Sequence, residues 1–162
     1  MEQHIEAGQY LTLALGESKY GLAVAWIREI LELQRITRIP RSSEHLLGVI
    51  NVRGRVVPVV DLRLKLGLPA SETTIDSAIV VLETDTDGGE SHVGVLVDSV
   101  AAVIELDGDE IDEPPIIGSG VESRLIDGMG KRDGEFILLL RIEELFGSEE
   151  LEAAASATGA LA

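Results

Sequence analysis

Residues 48–63 read Gly-Val-Ile-Asn-Val-Arg-Gly-Arg-Val-Val-Pro-Val-Val-Asp-Leu-Arg, and this stretch decides the fold. Its apolar runs predict two short strands, Val49–Val52 and Arg55–Val60, with a tight turn at Arg53 and Gly54 between them. We therefore expect a β-hairpin at the centre of the first half of the chain.

The second half of this stretch predicts how the hairpin ends. Pro58 has no backbone N–H to donate to a sheet, which favours an edge strand or a bulge. Asp61 is a good N-cap for a short helix over Leu62–Leu66, which Gly67 and Pro69 would end. The predicted unit is therefore a β-hairpin followed by a short helix.

This unit occurs twice in the chain. At an offset of 80 residues, six positions recur: Gly48, Gly54, Val60, Leu62, Leu66 and Gly67 match Gly128, Gly134, Leu140, Ile142, Phe146 and Gly147. At an offset of 73, seven upstream positions recur: Gly21, Val24, Ile27, Ile30, Leu31, Glu32 and Leu33 match Gly94, Val97, Val100, Val103, Ile104, Glu105 and Leu106. The change of offset places a seven-residue insertion in the second copy. The alignment predicts that Gly54 and Gly134 occupy equivalent tight turns with φ above zero.

The repeat predicts a mostly β fold of two small five-stranded barrels packed together, because closure removes exposed sheet edges. We expect one domain over residues 1–162, with the first barrel at about 9–70 and the second at about 76–147. The Ala-rich residues 148–162 are expected to form a frayed tail.

The remaining segments follow the same β pattern. Residues 26–31 fit either a helical turn or a bent strand, residues 40–43 a connection, and residues 44–47 a short helix. Further strands and a last helix are predicted at Gln9–Leu15, Tyr20–Ala25, Ala78–Glu83, His92–Val97, Ala101–Leu106, Leu125–Met129, Phe136–Leu140 and Ile142–Phe146.

Composition excludes several classes of function. The 162 residues carry 13 basic and 29 acidic side chains, a formal net charge of −16, which disfavours nucleic acid and anionic membranes as partners. With no Cys, thiolate catalysis, disulfides and Cys-based metal sites are excluded. No signal peptide or membrane-spanning run is present, so we expect a cytoplasmic protein without direct membrane insertion.

No motif predicts catalysis or a cofactor. The acidic stretch from Glu83 to Gly88 begins like a calcium loop, but Gly94 stands where that loop needs a bidentate Glu. Asp61 and Asp98 each end an apolar strand, for which a cap or turn is favoured over an acid/base pair. We therefore expect no catalytic, cofactor-binding or metal-binding residues.

The repeat also serves as an internal control. Glu29 aligns with Ala102 and Arg53 with Asp133, so these two charges are particular to the first copy. Two independent solvated charges are one interpretation, and an interacting pair at a binding surface is the other.

Residues 48–63 closely resemble the signature of the CheW family of chemotaxis coupling proteins. Other matching segments run in order from residue 9 to residue 147: Tyr10–Leu13, Tyr20–Leu22, Glu29–Ile30, Ile36–Pro40, Val93–Asp98, Pro114–Pro115 and Gly128–Gly130. The departures are Arg141, where the family often has Asp or Asn, and a long acidic hairpin tip at Thr84–Ser91.

The resemblance implies a function and a set of partners. Members of this family are non-enzymatic scaffolds with two SH3-like barrels that bridge the cytoplasmic tips of methyl-accepting chemoreceptors to the regulatory domain of the histidine kinase CheA. It implies recruitment of the protein to membrane-associated receptor arrays.

The resemblance also implies a binding site, with the groove between the barrels as its location. The family positions carry over to Ile27, Glu29, Gly48 and Arg53. The resemblance also favours Glu29 and Arg53 as an interacting pair. Val49 and Val97 are further apolar candidates, as is Ile30, although their repeat counterparts are also apolar and core positions are the alternative.

Two alternatives within the same fold stay open: a coupler of a pilus or surface-sensing pathway, and the coupling module of a larger kinase or receiver-containing protein. A small-molecule hydrolase is a remote alternative, because it needs a nucleophile with a base in reach.

Overall fold

The computed structural model describes residues 8–39, 45–69, 71–86, 89–113 and 125–145. This part of the chain is built almost entirely of strands, as predicted. Its elements are β1 Gly8–Leu15, β2 Ser18–Ala23, β3 Ile27–Glu32, β4 Leu46–Val52, β5 Arg55–Asp61, α1 Leu62–Lys65, β6 Ala78–Thr86, β7 Gly89–Val97, β8 Ser99–Leu106, β9 Ile111–Asp112, β10 Ile126–Arg132, β11 Glu135–Leu140 and α2 Ile142–Leu145.

The strands form two sheets. The first sheet has six strands in the order β8-β1-β2-β11-β10-β9, and the second has five in the order β3-β6-β7-β5-β4. The second sheet is therefore one continuous segment, residues 27–97, whereas the first combines the β1–β2 hairpin with strands that follow residue 98.

This arrangement corrects the predicted barrel boundaries of 9–70 and 76–147. Each copy of the repeat gives its first hairpin to the sheet of the other copy: β2 pairs in parallel with β11, and β7 pairs in parallel with β5. The repeat itself is confirmed by these pairs, because Gly21 opposite Leu139 corresponds, at the two offsets, to Gly94 opposite Val59. Sequence similarity between copies shows which segments are equivalent and leaves open which copy they pair with.

Both sheets curl so that their outer strands approach each other. In the first sheet, the edge strands β8 and β9 are joined by only four residues, 107–110, which include a 3₁₀ turn. In the second sheet, Thr37, which follows edge strand β3, exchanges two backbone hydrogen bonds of 2.8 Å with Val49 of edge strand β4. These connections give each sheet the curvature of a small SH3-like barrel.

Two local predictions need correction. Residues 46 and 47, predicted as part of a short helix with residues 44–45, belong to strand β4. Pro58 lies in β5, an inner strand between β7 and β4, and pairs with Val49 in regular register, so the prediction of an edge strand or a bulge is wrong. The sheet tolerates it because pairing with β7 begins one residue later, at Val59.

The hairpin of β6 and β7 is longer than the sequence indicated, since its strands reach Thr86 and resume at Gly89. Residues 26–31 combine the end of a 3₁₀ turn, Val24–Trp26, with strand β3. The predictions for residues 40–43, 114–115 and 148–162 lie outside the described residues.

The main core lies between the two sheets. It contains aliphatic side chains from both of them, among them Leu13 and Leu22 of the first sheet and Val80 and Val95 of the second, all fully buried. Contacts of this kind hold the sheets together but have little directional preference.

Candidate functional site

The turn between β4 and β5 holds Arg53 in an unusual backbone conformation. Arg53 and Gly54 have φ angles of 53° and 83°, and the equivalent Asp133 and Gly134 have 55° and 79°. The prediction of positive φ at both glycines is confirmed. Two consecutive positive φ values in a two-residue hairpin loop mark a type I′ turn, whose first position favours Asn, Asp or Gly.

The side chain of Asn51 stabilises the same turn, because its Oδ1 accepts a hydrogen bond of 2.8 Å from the Gly54 N–H. The left-handed conformation of Arg53 nevertheless destabilises the turn by about 1–2 kcal/mol. Asp133, in the other copy, is a residue that tolerates this conformation well. The positive φ of Gly54 was predicted from the repeat, whereas that of Arg53 was not predicted.

Glu29 is the partner of Arg53. Along β3, side chains alternate between half-buried and exposed, and Glu29 is on the half-buried face with Ile27 and Leu31. Its Oε2 accepts a hydrogen bond of 2.9 Å from Nη1 of Arg53. The Glu29 side chain is 19% exposed and that of Arg53 is 79% exposed, so a sheltered carboxylate orients an exposed guanidinium. The repeat singled out these two charges and the family resemblance favoured their pairing; that pairing is confirmed.

A β-bulge shapes the surface next to Glu29. Ile27 pairs with Leu82 and Glu29 with Val81, which leaves Arg28 as an extra residue in β3. Arg28 Nη1 lies 3.4 Å from Glu83 Oε1 on β6, and a shallow pocket lined by Ala25, Trp26, Ile27, Arg28 and Glu83 opens at this position. Ile27 is half-buried and packs against the main core.

Two of the predicted binding residues, Val97 and Gly48, are buried. Val97 is 1% exposed within the main core, and Gly48 is buried. A Cβ at Gly48 would overlap the carbonyl of Thr37, because the segment after β3 passes close to the backbone at this position. Glycine is needed here for that reason. Both residues are therefore buried in the free chain. Val49, beside Gly48, is half-buried.

The structure thus brings Ile27, Glu29, Val49 and Arg53 to the two edge strands of the second sheet and the turn that follows β4; we call these four residues the edge site. Ile30, on the outward face of β3, is 45% exposed and adds apolar surface. Leu33 just beyond it is 36% exposed. It was not predicted as a binding residue because its repeat counterpart, Leu106, is also leucine, which indicates a shared role in the fold.

Asp61 has the capping role favoured by the sequence, whereas Asp98 forms an ion pair with an arginine distant in sequence. Oδ1 of Asp61 accepts a hydrogen bond of 3.0 Å from the Arg63 N–H at the start of α1, and burial raises the pKa of this carboxyl. Asp98 binds the guanidinium of Arg63, with 2.6 Å between Oδ2 and Nη2, and this hydrogen bond lowers the pKa of Asp98.

Within the described residue ranges, no group of three or more His, Asp or Glu side chains is arranged to hold a metal ion. No helix there is long and apolar enough to span a bilayer. The edge site itself consists of one ion pair and aliphatic side chains, which can bind and orient a partner.

Comparisons with known proteins agree with this geometry. Residues 9–150 match the family model described as CheW-like domain. The chain is similar to the chemotaxis protein CheW of Rhizobium meliloti, with 31% identity over 94% of this chain and 97% of that protein. It is also similar to the chemotaxis protein CheW of Treponema pallidum, with 28% identity over 91% of this chain and 86% of that protein.

A solved structure shows the same fold. The crystal structure of the scaffolding protein TtCheW from Thermoanaerobacter tengcongensis superimposes with a TM-score of 0.78 and 29% identity, covering 89% of this chain and 95% of that one. Because the family model covers most of the chain and the two-sheet fold agrees with it, the chain belongs to the CheW-like domain family.

Proposed function

We propose that this chain couples the cytoplasmic tips of chemoreceptors to the regulatory domain of the histidine kinase CheA, and that the edge site is one of its contact surfaces. As a CheW-like protein it is a non-enzymatic adaptor of chemotaxis signalling. The proposal adds three things: the partners, the location at receptor arrays beside the membrane, and the residues that make contact.

One observation carries the assignment of the site. Arg53 is an exposed cation in an unfavourable backbone conformation, and a sheltered Glu29 orients it. Strained residues of this kind cluster at functional sites. The other copy has Asp133 in the same conformation, so the fold alone does not demand an arginine at this turn.

The chemistry of Arg53 suits protein recognition. One guanidinium nitrogen engages Glu29, which leaves the remaining N–H groups for carboxylate or carbonyl acceptors on a partner. Half-buried Ile27 and Val49 and exposed Ile30 supply aliphatic contact area. Charges at such a surface set partner choice and register more than they set affinity.

A binding experiment tests this proposal. Purified kinase regulatory domain and a receptor signalling fragment would each be titrated against the chain, the Arg53→Glu variant and the Asp133→Asn control. An unpaired charge at an interface costs about 2–5 kcal/mol, so Arg53→Glu should weaken at least one complex by more than about 30-fold. Asp133→Asn should bind like the parent. Equal binding of all three proteins to both partners would contradict the site, and no binding by the parent would contradict the coupling function.

Neither alternative function has a specific observation in its favour. The relatives named above are chemotaxis proteins, which does not favour a pilus or surface-sensing pathway.

A further inference from the structure

The chain passes between the two sheets at only two places in its described part. One passage is the 3₁₀ turn Val24–Trp26, between β2 and β3. The other is Asp98 alone, between β7 of the second sheet and β8 of the first. The side chain of Asp98 therefore stands where the two sheets meet.

Asp98 contacts both sheets through its carboxylate. Oδ2 accepts a hydrogen bond of 2.7 Å from the N–H of Gly16, in the β1–β2 turn of the first sheet. The same carboxylate accepts bonds from Arg63 of α1, which directly follows β5 of the second sheet: Nη2 lies 2.6 Å from Oδ2 and Nε lies 2.9 Å from Oδ1. This two-pronged geometry fixes direction as well as distance.

Arg63 is itself held in place. Its backbone N–H is capped by Asp61, and its Nη1 donates a hydrogen bond of 3.0 Å to the carbonyl of Pro69. The Arg63 side chain is only 16% exposed, so its ion pair with Asp98 is more sheltered than a surface pair.

The repeat shows that this contact is particular to one of the two junctions. At the two offsets, Arg63 aligns with Glu143 and Asp98 aligns with Ala25, so the equivalent junction of the other copy cannot form it. The aliphatic core shared by the sheets has little directional preference, and the polar contact adds a directional one at a single junction.

We propose that Arg63, Asp98 and the Gly16 N–H form a latch that fixes the angle between the two sheets. Its function is conformational: with the latch intact the sheets keep one relative orientation, and without it they move against each other on their aliphatic interface. This inference goes beyond the proposed coupling function, and its test uses the protein alone.

Spin-label distances measure this angle directly. The chain has no Cys, so two introduced Cys residues are unique labelling sites. Glu32 on the second sheet and Glu105 on the first are exposed and occupy equivalent positions of the repeat. The doubly labelled parent should give one narrow distance distribution, and Asp98→Ala in that background should broaden it at least twofold or shift its maximum.

A control separates the latch from ion pairs in general. Glu135→Ala removes an ion pair of 2.6 Å with Lys19 inside the first sheet, and should leave the distribution unchanged. A distribution for Asp98→Ala that superimposes on that of the parent would overturn the proposal. If Asp98→Ala does not fold, Asp98→Asn replaces it with the same two outcomes. Failure of both variants to fold, with Glu135→Ala intact, would also overturn it, because the contact would then hold the fold itself.

Discussion

Glu29 and Arg53 come from opposite edges of the five-stranded sheet, and their side chains meet at 2.9 Å between Oε2 and Nη1. Glu29 is on β3, and Arg53 is in the turn that follows β4, so the pair joins the two edges across the curl of the sheet. The exposed partner is the arginine, which places a positive charge on the surface of a strongly acidic protein.

The first prediction is that Arg53 can be replaced without loss of stability. Arg53→Asn removes an exposed ion pair that contributes about 0–1 kcal/mol and relieves about 1–2 kcal/mol of backbone strain. The melting temperature should therefore stay the same or rise by a few degrees, measured by calorimetry. A fall of more than about 5 °C would show that the arginine stabilises the fold.

Replacing Gly54 or Gly134 by alanine should lower the stability of the fold by the same amount. Neither site has an atom within 4 Å of an added Cβ, so the cost of Gly54→Ala and Gly134→Ala comes only from positive φ. Each should lose about 1–2 kcal/mol, with closely similar melting temperatures. Two variants that differ by more than about 2 kcal/mol would contradict the equivalence of the turns.

Asp98 and Asp61 should respond to pH with opposite signs. The folded pKa of Asp98 is lowered, so its contribution to stability is present above the unfolded value of about 3.9 and is lost as the pH falls through the folded pKa. The folded pKa of Asp61 is raised, so ionising it costs stability as the pH rises through that value.

Denaturant unfolding curves at pH 7 and near pH 3 check the sign of the stability change for each residue. At pH 7, Asp98→Asn should be less stable than the parent and Asp61→Asn, which keeps a capping oxygen, should be more stable. Both differences should shrink toward pH 3. Differences of the same sign at pH 7 would refute the assignment of causes.

The charge of −16 predicts stabilisation by salt, because screening weakens self-repulsion. The melting temperature should rise between low and molar potassium chloride. A flat or falling curve would contradict the prediction that charge repulsion limits stability.

The sequence predicted the repeat and the short strands, because both depend on local pattern. The difference between the aligned copies singled out Glu29 and Arg53, and the family resemblance was needed to predict that they pair. The sequence did not predict the exchange of hairpins, since β2 and β7 are alike at the aligned positions and either could pair with β5 or β11 on pattern alone. Val97 illustrates a second limit: an apolar residue of a buried strand and one at a binding surface look the same in sequence.

The central claim is that Arg53 acts in coupling and not in folding. Its most direct test is receptor-dependent kinase activation in a reconstituted mixture of receptor, kinase and either the parent, Arg53→Asn or the matched Asp133→Asn. We predict that Arg53→Asn melts at or above the parent temperature and loses most of the activation, whereas Asp133→Asn activates fully. Full activation by folded Arg53→Asn would contradict the assignment of the site, while the family membership of the chain would stand.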